Sequence, residues 1–175
     1  MPTPTITIRK EQPPDAAGIY RVHAAAFPSP AEARLVNLLR DGGKLDISLV
    51  AVQTEAPGHN EVVGHVALSP VTIAGRVVGL GLAPVAVLPR VQRGGIGGKL
   101  IEAGLHACRV AGIGLVVVLG DPNYYGRFGF LAARTWGLRD EYQGGDAFQA
   151  IELMPGAAPP GGGLVQYAPQ FASLG

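Results

Sequence analysis

The amino-acid sequence predicts a mixed α/β fold, as its hydrophobic patterns and its composition indicate. Two kinds of segment alternate along the chain. Some show the apolar alternation or the short continuous apolar runs of β-strands, and others have apolar residues that recur at helical spacing. Hydrophobic residues make up 47% of the 175 residues and charged residues 15%, which is typical of a compact globular chain. We therefore expect residues 1–175 to form a single domain with the element order β-α-α-β-β-β-α-β-α-β-β.

The N-terminal part predicts one strand and two helices. Residues 5–9 alternate and are rich in β-branched side chains, so they predict the first strand. Residues 13–27 open on two prolines and continue with apolar residues at helical spacing, which predicts a helix. Ser29 as a cap and Pro30 at the first helical position predict the start of a second helix, which ends near residues 41–43.

The middle of the chain predicts three consecutive strands. Residues 47–53 and 61–70 favour an antiparallel pair, because turn-forming residues join them. A further turn at residues 74–75 leads into a fourth strand that runs to about residue 88. Pro84 lies inside that strand and has no N–H to donate, so it predicts a bulge or an unpaired edge at this point.

The C-terminal half predicts a long helix and several short strands. Residues 95–111 place apolar and polar side chains on opposite faces of a helix. Residues 115–119 are apolar at every position, as expected of a strand buried on both faces. Further strands are predicted near residue 138, over 147–154 and over 164–167.

Charge and cysteine content exclude several classes of function. The 14 basic and 13 acidic residues give a net charge of +1 and are interleaved, so nothing favours nucleic-acid binding. Cys108 is the single cysteine, and the four histidines lack metal-ligand spacing, so we expect no metal site. Residues 1–10 are too polar for a signal peptide, and no apolar run is long enough to cross a bilayer. These observations predict a cytoplasmic protein with no membrane partner.

The glycine-rich turn at residues 92–98, within the segment 87–101, is the most informative part of the chain. An apolar strand precedes it and an amphipathic helix follows it, so free N–H groups, glycines and the cations Arg90 and Arg93 meet at a helix start. Such a turn suits a phosphate or pyrophosphate. A nucleotide-binding P-loop does not fit, because Leu100 stands where the residue with a hydroxyl group belongs. The G-x-G-x-x-G pattern of dinucleotide-binding loops also lacks its third glycine, because Leu100 occupies that position.

Two motifs that follow one another along the chain resemble motifs of the GNAT superfamily of N-acetyltransferases. Gln92-x-x-Gly95-x-Gly97 matches its pyrophosphate loop, and Tyr125-x-x-x-Gly129-Phe130 follows at the expected distance, after a further strand. The pattern around them looks like a bacterial branch of predicted N-acetyltransferases. The resemblance implies a twisted, mixed but mostly antiparallel sheet of about seven strands flanked by about four helices. It also implies an acyltransferase that uses acetyl-CoA as acyl donor.

The resemblance also implies a set of acetyl-CoA-binding residues. Backbone N–H groups of the turn are expected to hold the pyrophosphate, and the free edge of the fourth strand beyond Pro84 is expected to bind pantetheine as a pseudo-strand. Asn123 is expected to contact the pantetheine arm. The full set comprises Val85, Val87, Gln92, Arg93, Gly94, Gly95, Gly97, Gly98 and Asn123.

Tyr125 matches the position of the superfamily's general acid, and its phenol can protonate the departing thiolate; the alternative is that Tyr125 packs and Tyr124 is exposed. Residues 77–88 contain no ionisable side chain, although many relatives carry a glutamate on this strand. His65 is a candidate for the acceptor site and for the base, with a hydrogen-bonded structural histidine as the alternative. Glu32 is a candidate for lining the acceptor cleft, with a capping or solvated role as the alternative.

The function expected from these residues is transfer of an acetyl group to a primary amine by direct attack in a ternary complex. Cys108 lies on the apolar side of its helix, so a core residue is favoured over a covalent nucleophile. The alternative function is a non-catalytic acyl-CoA-binding sensor or regulatory module. The expected partners are a small-molecule or peptide amine and, as is common among relatives, a second copy in a homodimer.

Overall fold

A computed structural model describes residues 3–175 of the chain. Met1 and Pro2 lie outside the described residues. They are the first residues of the polar segment and of the single domain expected above. Among residues 3–175, nine strands form one sheet. They are β1 (Thr5–Lys10), β2 (Ile47–Ala56), β3 (His59–Ile73), β4 (Arg76–Val87), β5 (Leu115–Leu119), β6 (Leu131–Ala132), β7 (Leu138–Asp140), β8 (Phe148–Glu152) and β9 (Gly163–Gln166).

The helices follow the predicted order with small shifts at their ends. They are α1 (Ala16–Ala26), α2 (Ala31–Asp41), α3 (Ile96–Val110) and the short α4 (Pro122–Tyr125). The prolines before α1 form a separate 3-10 turn, Pro13–Asp15. Helix α2 begins one residue later than predicted, with Pro30 as its cap residue, while the Ser29 hydroxyl accepts a hydrogen bond from the backbone N–H of Ala31 at 3.3 Å.

The sheet is open and mostly antiparallel, and the mixed α/β fold class is confirmed. The strand order is β1-β2-β3-β4-β5-β8-β6, and β9 pairs with both β3 and β7. Parallel pairing joins β4 to β5 and β7 to β9. The two-residue strand β6, which pairs with β8, was not predicted, because so short a segment carries no periodic pattern.

The sheet splits between β4 and β5. Within the described residues these strands pair at Leu80 with Val116 and at Gly81 with Val117, and then separate. Just beyond this point the register between β4 and β3 shifts by one residue, from Leu82 opposite Leu68 to Val85 opposite Val66. The extra residue lies on β4 at Ala83–Pro84, so the predicted bulge at Pro84 is confirmed.

Two hydrophobic cores lie on opposite faces of β5, because side chains alternate along a strand. Helix α3 packs on one face, together with Val116 and Val118. Helix α2 and the C-terminal 3-10 segment Pro169–Leu174 pack on the other face, together with Leu115 and Val117. In the part of the chain that the structure describes, no helix is long and apolar enough to cross a membrane.

Candidate functional site

A groove of about 600 Å³ opens beside the split, on the side of the glycine-rich turn. Its walls come from three distant parts of the chain: the end of α1, the end of β4 with the turn that follows, and the segment after β5. The lining residues are Ala26, Phe27, Val85, Ala86, Val87, Val91, Gln92, Arg93, Gly95, Ile96, Gly97, Gly98, Tyr124 and Arg127.

The glycine-rich turn leaves the start of α3 open to the groove. Gly95 precedes the helix with φ +84°, a left-handed conformation that glycine adopts without strain. The first N–H groups of α3 have no partner within the helix, and Gly97 and Gly98 line the groove there. A methyl group at Gly97 would lie 3.3 Å from the hydroxyl oxygen of Tyr124, so a larger side chain would fill the space in front of these N–H groups.

The end of β4 offers an unpaired backbone edge to the same groove. The N–H of Leu88 donates to the carbonyl of Val63 on β3 at 2.8 Å. Because backbone groups alternate in direction along a strand, those of Val85 and Val87 face away from β3, toward the gap left by β5. The Gln92 side chain donates to the Val87 carbonyl at 2.9 Å, which ties the turn to the strand end.

Two arginines place positive charge at the groove. Arg93 lies in the turn, and Arg127 lies over the ring of Tyr124 at 4.8 Å from the ring centroid. Arg90, the other cation noted in the sequence, instead pairs with Glu61 at the surface. The groove therefore combines cations, helix N–H groups and a strand edge, a combination that suits a ligand with phosphates and amides.

The two adjacent tyrosines have different surroundings. Tyr124 lines the groove, whereas Tyr125 is 9% exposed and its ring packs edge-on against Phe130. A side chain at Gly120 would clash with the ring of Tyr125, so the glycine after β5 makes room for it. Burial, and secondarily Tyr124, raises the pKa of Tyr125 to about 12, so its hydroxyl stays protonated at neutral pH.

Four expected ligand or acceptor residues, Gly94, Asn123, Glu32 and His65, lie away from the groove lining. Gly94 and Asn123 are exposed and do not line the groove, and the backbone N–H of Asn123 donates to the Asp121 carboxylate at 2.9 Å. Glu32 is half-buried in the first turn of α2, with one carboxylate oxygen buried and without a hydrogen-bond partner among residues 3–175.

His65 belongs to a buried hydrogen-bond chain. Its Nδ1 lies 2.8 Å from Nε2 of His23, and its Nε2 lies 2.7 Å from the Ser48 hydroxyl. Ser48 donates to the Glu11 carboxylate at 2.7 Å, and Arg40 donates to the same carboxylate. Since a carboxylate only accepts, Ser48 must accept from Nε2–H of His65, and His23 must donate to Nδ1 of His65.

His23 and His65 are both neutral at pH 7. Burial lowers the pKa of His23 to about 4. Burial, followed by His23 and Arg40, lowers the pKa of His65 well below its usual value. His65 has no exposed surface with which to contact an acceptor, so its expected place at the acceptor site is corrected to a buried structural one.

Cys108 is a core residue, as expected. It is fully buried on α3, and burial raises the pKa of its thiol to about 12, far from that of a reactive nucleophile. Among the described residues, no group of three or more His, Cys, Asp or Glu side chains is placed to hold a metal ion.

Sequence reasoning missed Phe27, Tyr124 and Arg127 as groove walls. Phe27 is brought there by the packing of α1, which no local pattern reveals. Arg127 lies inside the second motif, so the spacing of that motif was the available signal for it.

The sequence model of the family described as "Acetyltransferase (GNAT) domain" matches residues 7–133. The chain belongs to the GNAT acetyltransferase family. It is 40% identical over 166 residues to the uncharacterized N-acetyltransferase YhbS of Escherichia coli (strain K12), covering 94% of this chain and 97% of that one.

Two solved structures of the GNAT family share the fold. That of YhbS from Escherichia coli in complex with CoA has a TM-score of 0.91 and 38% sequence identity, covering 100% of this chain and 96% of that one. That of a GNAT acetyltransferase from Brucella melitensis in complex with acetyl-CoA has a TM-score of 0.78 and 42% identity, covering 95% of this chain and 98% of that one. The open sheet and its flanking helices are thus the GNAT fold.

Proposed function

We propose that this GNAT protein transfers the acetyl group of acetyl-CoA to a primary amine by direct attack in a ternary complex, with residues 1–175 acting as one domain. The observation that carries the proposal is the groove, which joins the open backbone edge of β4 to the glycine-rich start of α3. The YhbS and Brucella melitensis relatives, which were crystallised with CoA and acetyl-CoA, lend it support.

The start of α3 fits the pyrophosphate of the acyl donor. Gly97 and Gly98 present backbone N–H groups without side chains in the way, and the helix start favours negative charge. Arg93 adds a cation from the turn and Arg127 adds one from the segment after β5. Gln92 acts indirectly, because its amide holds the turn against the Val87 carbonyl.

The edge of β4 fits the pantetheine arm. Pantetheine carries two amides, and an extended amide chain pairs with a free strand edge as an added strand would. Val85 provides backbone groups on the open side of β4. The carbonyl of Val87 accepts from Gln92, so its N–H is the group we assign to the arm. The acyl donor supplies the activated thioester carbonyl to the site.

Tyr125 is the residue to which we assign protonation of the leaving sulfur. Attack by the amine nitrogen forms a C–N bond and breaks the C–S bond, and the products are an amide and a free thiol. Because the pKa of Tyr125 is raised, its hydroxyl is present as the donor form throughout neutral pH. Residues 77–88 carry no ionisable side chain, and we assign the proton lost by the amine to water, which also returns a proton to the Tyr125 phenolate.

The two adjacent tyrosines provide a matched test of this role. Tyr125→Phe is expected to lower kcat at least tenfold with little change in the affinity for acetyl-CoA. Tyr124→Phe removes the hydroxyl that lies at the groove, so it serves as the control and should alter acetyl-CoA affinity more than kcat. Release of free thiol and mass spectrometry of the acetylated amine measure turnover, and calorimetry measures binding.

The same experiment separates turnover from sensing. A protein that binds acetyl-CoA but acetylates no amine in a broad panel of small amines and peptides would be an acyl-CoA sensor. Unchanged turnover in Tyr125→Phe would remove Tyr125 as the acid while leaving the transferase in place. A homodimer is part of the proposal, and sedimentation measures it.

A further inference from the structure

A second cavity lies at the split of the sheet, on the face opposite the groove. Ala83 and Leu119 line it, each two residues beyond the last pairing of β4 with β5. Both side chains pack with the core on the α2 face, whereas Val85 and Val87 of the groove pack with the core on the α3 face. The groove and the cavity therefore approach the split from its two sides.

The cavity has a volume of about 310 Å³, and its walls are apolar and aromatic. This volume is at the lower end of the range of roughly 300–1,000 Å³ for small-molecule sites. Its lining residues are Ala83, Leu119, Tyr142, Tyr167, Phe171, Leu174 and Gly175, and none of these side chains carries a charge at neutral pH. The ring of Tyr167 lies between those of Tyr142 and Phe171, with centroid distances of 6.0 and 5.1 Å.

Tyr167 contributes a polar group that the protein leaves without a partner. The residue is 7% exposed, and its hydroxyl is buried with no hydrogen-bond partner among residues 3–175. A methyl at Gly81 would lie 2.6 Å from the ring, so this glycine at the last β4–β5 pairing makes room for it. A buried hydroxyl without a partner costs free energy, and a ligand that supplies the partner recovers it.

The carboxylates of Asp140 and Glu141 bind the backbone of the segments that carry Tyr142 and Tyr167. Asp140 accepts hydrogen bonds from the backbone N–H groups of Tyr142 at 3.1 Å and Gly144 at 2.8 Å. Glu141 accepts one from the backbone N–H of Tyr167 at 3.0 Å. Both acidic side chains are thus engaged with the backbone of the wall and do not line the cavity.

We propose that this cavity binds the acceptor, and that the acceptor is a primary amine on an apolar or aromatic body, with the Tyr167 hydroxyl as its polar anchor. This inference rests on the proposed acetyl transfer. The apolar and aromatic walls match an apolar or aromatic body, because its surface leaves water on binding. The Tyr167 hydroxyl offers the amine nitrogen a hydrogen-bond partner.

A panel of amines tests this assignment. With acetyl-CoA at saturation, kcat/KM for phenethylamine and benzylamine is expected to exceed that for putrescine, spermidine and Nα-acetyl-lysine by at least tenfold. Equal or better turnover of putrescine, spermidine and Nα-acetyl-lysine would overturn the inference while leaving the transferase intact. If no amine is acetylated, the proposed function fails, and thermal shifts of the CoA-loaded protein with the same amines decide the cavity: a shift with the apolar amines alone supports it, and no shift overturns it.

Two variants and a control locate the effect. Tyr167→Phe removes only the hydroxyl and is expected to raise KM for the apolar amine about tenfold, with KM for acetyl-CoA unchanged. Leu174→Asp puts a charge at the rim of the cavity, on a residue that is 43% exposed, so folding should survive. It is expected to reverse the preference toward putrescine and spermidine, which carry an additional positive charge. Leu131→Asp, at a 55% exposed site away from the cavity, is the control and should change nothing.

Discussion

Lowering the pH from about 7.5 to about 5 is expected to destabilise the protein through its two buried histidines. His23 and His65 are both fully buried, and each holds the other by a hydrogen bond of 2.8 Å. Their pKa values are lowered in the fold, so the folded chain stays unprotonated where the unfolded chain binds protons. Stability is therefore fully present above about pH 6.5 and falls as the pH drops toward the folded pKa values.

The magnitude follows from His23. Its pKa falls from 6.5 to about 4, and each unit corresponds to about 1.4 kcal/mol, so the full loss approaches about 3 kcal/mol. At about pH 5 the loss from this group is about 2 kcal/mol. For a chain of this size that lowers Tm by about 4–8 °C. His65 shifts in the same direction and adds to the loss.

Carboxylates near the pair act in a different pH range. Arg40 and Ser48 lower the pKa of Glu11 against the opposing effect of burial, and Arg9 lowers that of Asp15. The stabilisation that these two carboxylates give to the fold is therefore lost only below about pH 4, as the pH falls through their lowered pKa values. Asp46, whose pKa burial raises, changes stability in the opposite sense. Measurements above about pH 5 thus report mainly the histidines.

Thermal and urea unfolding across this pH range provide the assay. His23→Gln should flatten the slope of unfolding free energy against pH, by up to about 1.4 kcal/mol per pH unit for the proton it removes. His59→Gln, at an exposed histidine, is the control and should keep the wild-type slope. A wild-type Tm that is unchanged between the two pH values, or an unaltered slope in His23→Gln, would refute the reasoning.

Three further outcomes are expected. Gly97→Val should weaken acetyl-CoA binding at least tenfold by filling the groove at the start of α3, whereas Gly126→Ala, at a site with open space, should not; calorimetry measures both. Cys108 should resist alkylation in the native protein and react in denaturant, as mass spectrometry would show; fast native labelling would contradict its burial. Asp15→Asn should lower Tm by several degrees, because the carboxylate binds Arg9 at 2.7 and 3.1 Å; salt should reduce the difference from wild type.

The local patterns predicted most of the fold. Strand β5 is apolar at every position, and the structure buries both of its faces. Pro84 predicted a bulge, because a proline cannot donate within a ladder, and the register shift lies at that residue. Strand β9 shows the limit of this reasoning, since its pairing with both β3 and β7 depends on contacts between segments far apart in sequence.

The candidate site was predicted only in part, because local patterns reveal some of its residues and tertiary contacts decide the others. The turn from Gln92 to Gly98 contains its own signal, and the structure places most of it at the groove. Asn123 was inferred from a motif position; its side chain is exposed, and its backbone N–H donates to the carboxylate of Asp121, which caps a short helix. His65 has a suitable side chain on a suitable strand, yet burial and the partners His23 and Ser48 remove it from the surface. Only tertiary packing decides such cases.

The bulge on β4 gives the two compartments their different chemistry. It turns the strand away from β5, so Val85 enters the α3-side core while Ala83 stays with the α2-side core. The α3 side receives arginines and helix N–H groups, which suit a phosphate-bearing donor. The α2 side receives aromatic rings from the C-terminal segment, which suit the apolar body of the proposed acceptor. Because residues 77–88 carry no ionisable side chain, the strand between the two compartments adds no charge of its own to either, and their difference comes from the elements that pack on each side.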